Sequence, residues 1–132
     1  MIFLDENILE SQRLLLQQWG IRFRQIGYEA GRKGLKDHEI VEFLLKQHQP
    51  TFFSSDRHFF KRTLCHLKYC LVFLEVEQSE SALFTRRLLR FDLFNTIAKR
   101  RGKVIRVSHT GGSVWETNSE KEKHFIWKNL KR

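Results

Sequence analysis

Apolar and polar positions alternate along the chain in blocks that change period, and the changes mark the elements. Ile2, Phe3 and Leu4 form a short apolar run that Asp5, Glu6 and Asn7 stop abruptly, the pattern of a buried strand ending at a polar edge. Over residues 8–19, Ile8, Leu15, Leu16 and Trp19 share one face at a spacing of about 3.6 residues, and Gly20 supplies a stop. Residues 21–26 read as a second strand. Gly27, Gly31 and Gly34 punctuate a basic loop, after which Asp37 caps a helix to about Gln47 and Pro50 closes the region.

The second half repeats this rhythm. Residues 51–54 form a third strand stopped by Asp56, residues 57–64 an irregular or weakly helical link, and residues 71–76 the clearest strand of the chain. Ser79 or Ser81 caps a long helix through Arg101, with Gly102 just beyond it, and another strand starts at Val104. Gly111-Gly112 reads as the turn of a hairpin with residues 113–117, and Ser119 with Glu122 as a capping box opening a basic C-terminal helix. Alternating strands and helices predict an α/β fold of three layers, α/β/α, with a mostly parallel central sheet and a C-terminal hairpin strand. Residues 1–117 make one domain and residues 118–132 its helical extension.

Composition narrows the class. The chain has 132 residues, 41% of them hydrophobic with 12 Phe and 3 Trp, enough for one core without disulfides. Cys65 and Cys70 stand alone beside His66 without a second ligand pair at zinc spacing, so they read as reduced thiols. No secretory pattern opens the chain and no run of roughly 18 apolar residues occurs, which points to a cytoplasmic protein with no membrane partner. The 24 Lys and Arg outnumber 15 Asp and Glu, a net charge of +9 that favours phosphate polyanions such as RNA or DNA.

Against that background the acids are informative. Ligands of open parallel sheets sit beyond the carboxyl ends of the strands, where Asp5, Asp37 and Asp56 are expected to gather. Crowded carboxylates call for raised pKa values or a hard cation such as Mg²⁺ or Mn²⁺, and metal bridging to phosphate leads to phosphodiester hydrolysis. Plainer roles exist for each: Asp37 as a helix cap, Asp56 as an Asx-turn residue, Glu6 as a helix-start charge. At about 100° per residue, Asp37 lies in line with Val41, Leu44, Leu45 and His48, and Glu39 points the other way. Glu39 stays as the alternative ligand.

Three blocks, Phe3-Leu4-Asp5-Glu6-Asn7, then Gly34-Leu35-Lys36-Asp37-His38-Glu39-Ile40, then Ser54-Ser55-Asp56-Arg57-His58-Phe59, resemble the small PIN-like nuclease family over about residues 2–117. The resemblance implies a Mg²⁺- or Mn²⁺-dependent ribonuclease, often the toxin of a toxin-antitoxin pair, with Asp5, Asp37 or Glu39, and Asp56 at its acidic positions. A cognate antitoxin and a second copy of the chain enter as candidate protein partners. His58 stands where the family usually has another Asp, which offers a ligand for Mn²⁺, a phosphate contact, or a binding module that no longer cuts. Arg57 and Lys36 near the rim, and Arg87 and Arg90 in phase with Leu83, Phe91, Phe94 and Ala98, are the expected substrate contacts. A phosphorelay receiver, with Asp5-Glu6 as acidic pair and Asp56 as phosphoacceptor, is the remaining reading; it lacks the hydroxyl and lysine expected at later strand ends.

Overall fold

The computed structural model describes residues 1–127 and is built on one seven-stranded sheet. Its strands are β1 (Ile2–Leu4), β2 (Arg24–Gln25), β3 (Thr51–Ser54), β4 (Cys70–Leu74), β5 (Lys103–Val107), β6 (Gly111–Glu116) and β7 (Lys123–Ile126). They lie in the order β2-β1-β3-β4-β5-β6-β7. The pairings from β2 through β5 are parallel, and those that add β6 and β7 are antiparallel. Among the described residues four α-helices, α1 (Glu10–Gln18), α2 (Asp37–Leu45), α3 (Ser81–Arg90) and α4 (Ile97–Arg100), complete the α/β fold.

β3 and β4 are buried along their whole length, as expected of central parallel strands covered on both faces. Their alternate side chains feed two cores. Leu4, Phe53, Val72 and Ile105 face α1 and α3, meeting Leu16, Ala82, Phe84 and Leu88. Phe3, Phe52, Leu71 and Val104 face α2, meeting Ile40, Leu44 and Phe59. The three layers follow from this division, and no helix of the described residues is long and apolar enough to cross a membrane.

Three expectations are corrected. The long helix through Arg101 is broken: Phe91 leaves the helical region, and Phe91 and Phe94 turn into an aromatic cluster with Phe125 and Trp127. Buried Arg100 stabilises the break, donating from Nη1 to the Phe94 carbonyl at 2.9 Å and from Nε to Thr51 Oγ1 at 2.9 Å. α4 then restarts on a Thr96 cap.

The glycine pair is not the hairpin turn. Ser108, His109 and Thr110 turn the chain, and Gly111 and Gly112 open β6. Both positions lie where backbones close in, since a Cβ on Gly112 would collide with the Arg106 carbonyl oxygen and one on Gly111 with that of Phe125.

The C-terminal helix is replaced, as far as residue 127, by a turn and the strand β7; residues 128–132 lie outside the described residues. Burial decides it. Phe125 and Trp127 are buried while His124 and Ile126 are exposed, a two-residue alternation that fits a strand and not a helix. Lys123 pairs with Glu116 at 2.8 Å across the hairpin.

Candidate metal centre

The strand order creates the site. β2 and β3 flank β1, so the connections leaving the carboxyl ends of β1 and β3 diverge to opposite faces and open a crevice between them. Asp5 is the residue directly after β1, and Ser54 ends β3. The Asp5 amide still continues the ladder, donating to the Phe53 carbonyl at 2.9 Å.

Asp5 is only 7% exposed. Ser54, fully buried, donates its hydroxyl to Asp5 Oδ2 at 2.6 Å. Burial pushes the Asp5 carboxyl above its ordinary range; the Ser54 and Glu6 hydrogen bonds pull it back in part, and the charges of Asp56 and Glu6 push it up again. A cation at this crevice would reverse that penalty.

Asp37, Asp56 and His58 form a tighter set, each offering a ligand atom with all of these within 4.8 Å of one another. Two turns position it. Asp56 caps the 3₁₀ turn Arg57–Phe59, its Oδ1 accepting the His58 backbone N–H at 2.9 Å, so the Asx-turn role and the site role coincide. The same oxygen lies 2.8 Å from His58 Nδ1, which leaves the second Asp56 oxygen and His58 Nε2 without protein partners among the described hydrogen bonds. Asp37 comes from the first turn of α2, exposed at its N-terminus.

Glu39 is engaged elsewhere. Its Oε1 accepts the Lys36 N–H at 2.9 Å and its Oε2 pairs with Arg32 at 3.2 Å. A lysine side chain has no acceptor, so only the glutamate half of a capping box forms around Lys36, which occupies the cap that Asp37 was expected to fill. These contacts hold the Glu39 carboxyl below its ordinary range, the Lys36 hydrogen bond contributing most.

Asp5 therefore stands beside the tight set, near Asp56 but outside it. The donor set suits a divalent ion: two carboxylates and an imidazole favour Mn²⁺ or a similar borderline metal over Mg²⁺, which prefers oxygen ligands throughout. Among the described residues no Lys or Arg forms an ion pair with Asp5, Asp37 or Asp56; His58 is the one basic partner, on Asp56.

Comparison with known proteins adds no relative. No family model, curated protein or solved structure matches the chain.

The predicted basic contacts separate. Arg57 lies at the rim, 3.9 Å from Glu75, which also pairs with Arg106 at 2.8 Å. Arg87 and Arg90 line a groove with Trp127 on the α3 side of the sheet, opposite the face that α2 covers, because Phe84 and Leu88 between them pack into the first core. The helical phase expected to align them with Phe91, Phe94 and Ala98 stops at Arg90, where α3 ends, and the face they turn to is not that of Asp37.

Two site residues escaped the sequence reading. Ser54 sits inside a motif singled out for its aspartate, and burial next to Asp5 is visible only once β1 and β3 pair. Gln25 is fully buried and donates from Nε2 to the carbonyls of Asp5 and Ile8 at 3.0 Å, fixing the turn that follows β1. A glutamine that follows Ile21 and Phe23 on the inward positions of an alternating stretch is a signal that a backbone needs a donor. Glu6, read as a helix-start charge, accepts the Gly34 N–H at 2.7 Å and ties the basic loop to this same turn. The free thiols stay apart: burial pushes Cys70 up to about 12, and no zinc-type cluster includes Cys65 or Cys70 among the described residues.

Proposed function

We propose that the chain is a divalent-metal-dependent nuclease of PIN-like type acting on RNA, with Asp37, Asp56 and His58 holding the ion and Asp5 supporting it from the end of β1. One observation carries the reading: in a chain of net charge +9, Asp37, Asp56 and His58 bring ligand atoms within 4.8 Å of one another, and no Lys or Arg pairs with either carboxylate among the described residues. An ion bound there supplies a lowered pKa for coordinated water and neutralises charge building at phosphorus. Ser54 holds the Asp5 carboxylate in place, Gln25 and Glu6 fix the turn beneath it, and Arg57, Lys36, Arg32 and Lys33 give the rim its attraction for a phosphate chain. The fold family, toxin role and antitoxin rest on the resemblance of the three sequence blocks, and a second copy of the chain stays a candidate partner.

The test is cleavage of a labelled RNA by wild type, Asp5→Asn and Asp56→Asn with Mn²⁺, Mg²⁺ or chelator. Cleavage that needs metal and falls at least about a hundredfold in Asp56→Asn is expected. Equal cleavage by all three proteins, or cleavage that survives chelation, removes the mechanism. Metal and RNA binding without cleavage by wild type would favour the binding-module reading that His58 in place of an acid keeps open.

The strand order favours a second reading. β2-β1-β3-β4-β5 is also the order of phosphorelay receivers, whose ligand sits at the same crevice. Glu75 and Ser108 stand after β4 and β5 where a receiver needs a hydroxyl and a lysine, and Glu75 is already paired with Arg57 and Arg106. Phosphorylation of Asp56 by a small acyl phosphate would establish it; no transfer is expected.

A further inference from the structure

We infer that the groove along α3 docks an acidic, amphipathic segment of a partner protein. This surface is independent of the metal centre and stands whether or not the chain cleaves RNA. Leu83, Arg86, Arg87, Arg90, Phe91, Asp92 and Trp127 line a groove of about 360 Å³. Its floor is apolar and its walls carry three arginines against one acid, Asp92. Leu83 is 45% exposed on a helix whose other face is fully committed to the core through Ala82, Phe84 and Leu88.

The arginines set the sign of the occupant. Arg13, Arg32, Arg57, Arg62 and Arg106 each have a carboxylate partner, whereas Arg86, Arg87 and Arg90 form no ion pair among the described residues. Two of them lie on aromatic rings instead, Arg86 at 3.7 Å from the Trp19 centroid and Arg87 at 4.8 Å from that of Trp127. A guanidinium held over a ring by its cation–π contact keeps N–H donors for a carboxylate.

Aromatic rings beside arginines also suit a nucleic acid, and the packing decides against it. Trp127 is buried, with Arg87 over its ring and Phe91 and Phe125 edge-on at 5.0 and 5.3 Å. Among the described residues the Trp127 ring presents no open face for a base to stack on, although an aliphatic side chain can lie along Leu83 and the ring edges. Residues 128–132, which follow Trp127, include Lys128, Lys131 and Arg132 and no Asp or Glu, the charge this groove repels. Carboxylates on the arginines and leucine-type anchors between them describe an acidic amphipathic helix or strand.

Fluorescence anisotropy tests this with the full chain and a labelled peptide of about a dozen residues that places Glu and Leu at helical spacing. Wild type is expected to bind it, and Arg90→Glu and Leu83→Asp, both exposed substitutions, to weaken binding at least about tenfold. Arg22→Glu, which makes the same charge change away from the groove, is expected to alter it less than about twofold. Equal losses for Arg90→Glu and Arg22→Glu would show general charge attraction and overturn the proposal. So would absence of binding at about 1 mM peptide. Displacement of the peptide by oligouridine, with the same dependence on Arg90 and Leu83, would make nucleic acid the occupant. Circular dichroism of each variant separates lost binding from lost fold.

Discussion

Ser54→Ala tests how the carboxylate at the end of β1 is held. The serine is fully buried, and its hydroxyl donates to Asp5 Oδ2 at 2.6 Å while accepting the Asp56 N–H at 3.0 Å. A hydrogen bond to a charged group contributes about 1.5–3 kcal/mol, against about 1 kcal/mol for a neutral pair. At neutral pH the substitution should therefore cost about 2 kcal/mol, a melting-temperature drop of roughly 6–10 °C for a chain of this size. In an Asp5→Asn background the same change should cost about 1 kcal/mol, leaving a coupling of about 1 kcal/mol between the two side chains. Burial holds the native Asp5 pKa above its unfolded value, so the native state keeps its proton to higher pH. Its contribution to stability is full below the unfolded pKa and falls as pH rises through the native one. Asp5→Asn should remove that fall, gaining on wild type between acid and neutral pH. Urea unfolding of the four proteins across pH 3–8, an order-of-magnitude window around carboxylate titration, measures both effects. A Ser54→Ala cost identical in the two backgrounds, or an Asp5→Asn difference flat with pH, would refute the account.

Other expectations concern separate parts of the molecule. Titration of thermal stability with Mn²⁺ should stabilise wild type, by about 2.7 kcal/mol at a hundred times the dissociation constant. Asp37→Asn should lose most of that gain and Glu39→Gln should keep it, because Glu39 serves the start of α2; the reverse pattern would exchange their roles. Gly112→Ala should cost more than about 3 kcal/mol or prevent folding, as its Cβ meets the Arg106 carbonyl; a near-normal urea midpoint would show that the β5–β6 pairing can yield. Cys70 should resist an aromatic disulfide reagent at pH 8 until the chain is unfolded, since burial raises its pKa to about 12; immediate labelling would contradict its buried place at the start of β4.

Most of the strand framework was legible because parallel central strands must be apolar on both faces: Ile2–Leu4 and Thr51–Ser54 were bounded as they occur. The acids at the carboxyl ends followed from that framework alone. Missing were features that depend on partners distant in sequence. The helix after Ser81 carries a helical pattern past its end, and what breaks it is an aromatic cluster completed by Phe125 and Trp127, more than 30 residues away. Residues 119–122 have the letters of a capping box, yet the alternation at 124–127 is followed because β6 offers an unpaired edge. His58 was legible as a departure from a motif; that it shares an oxygen of Asp56 with its own backbone amide was not.

The two halves of the crevice are anchored very differently. Asp5 and Ser54 hang from the buried ladder between β1 and β3, where local opening costs most. Asp37, Asp56 and His58 sit on a helix end and a single 3₁₀ turn, where opening costs little. Amide exchange should divide accordingly, slow at Phe53 and Asp5 and fast at His58. An ion entering here would meet one rigid wall and recruit the other, so part of its binding free energy would go into ordering that second limb. Its affinity would then respond to substitutions that stiffen the turn and touch no ligand.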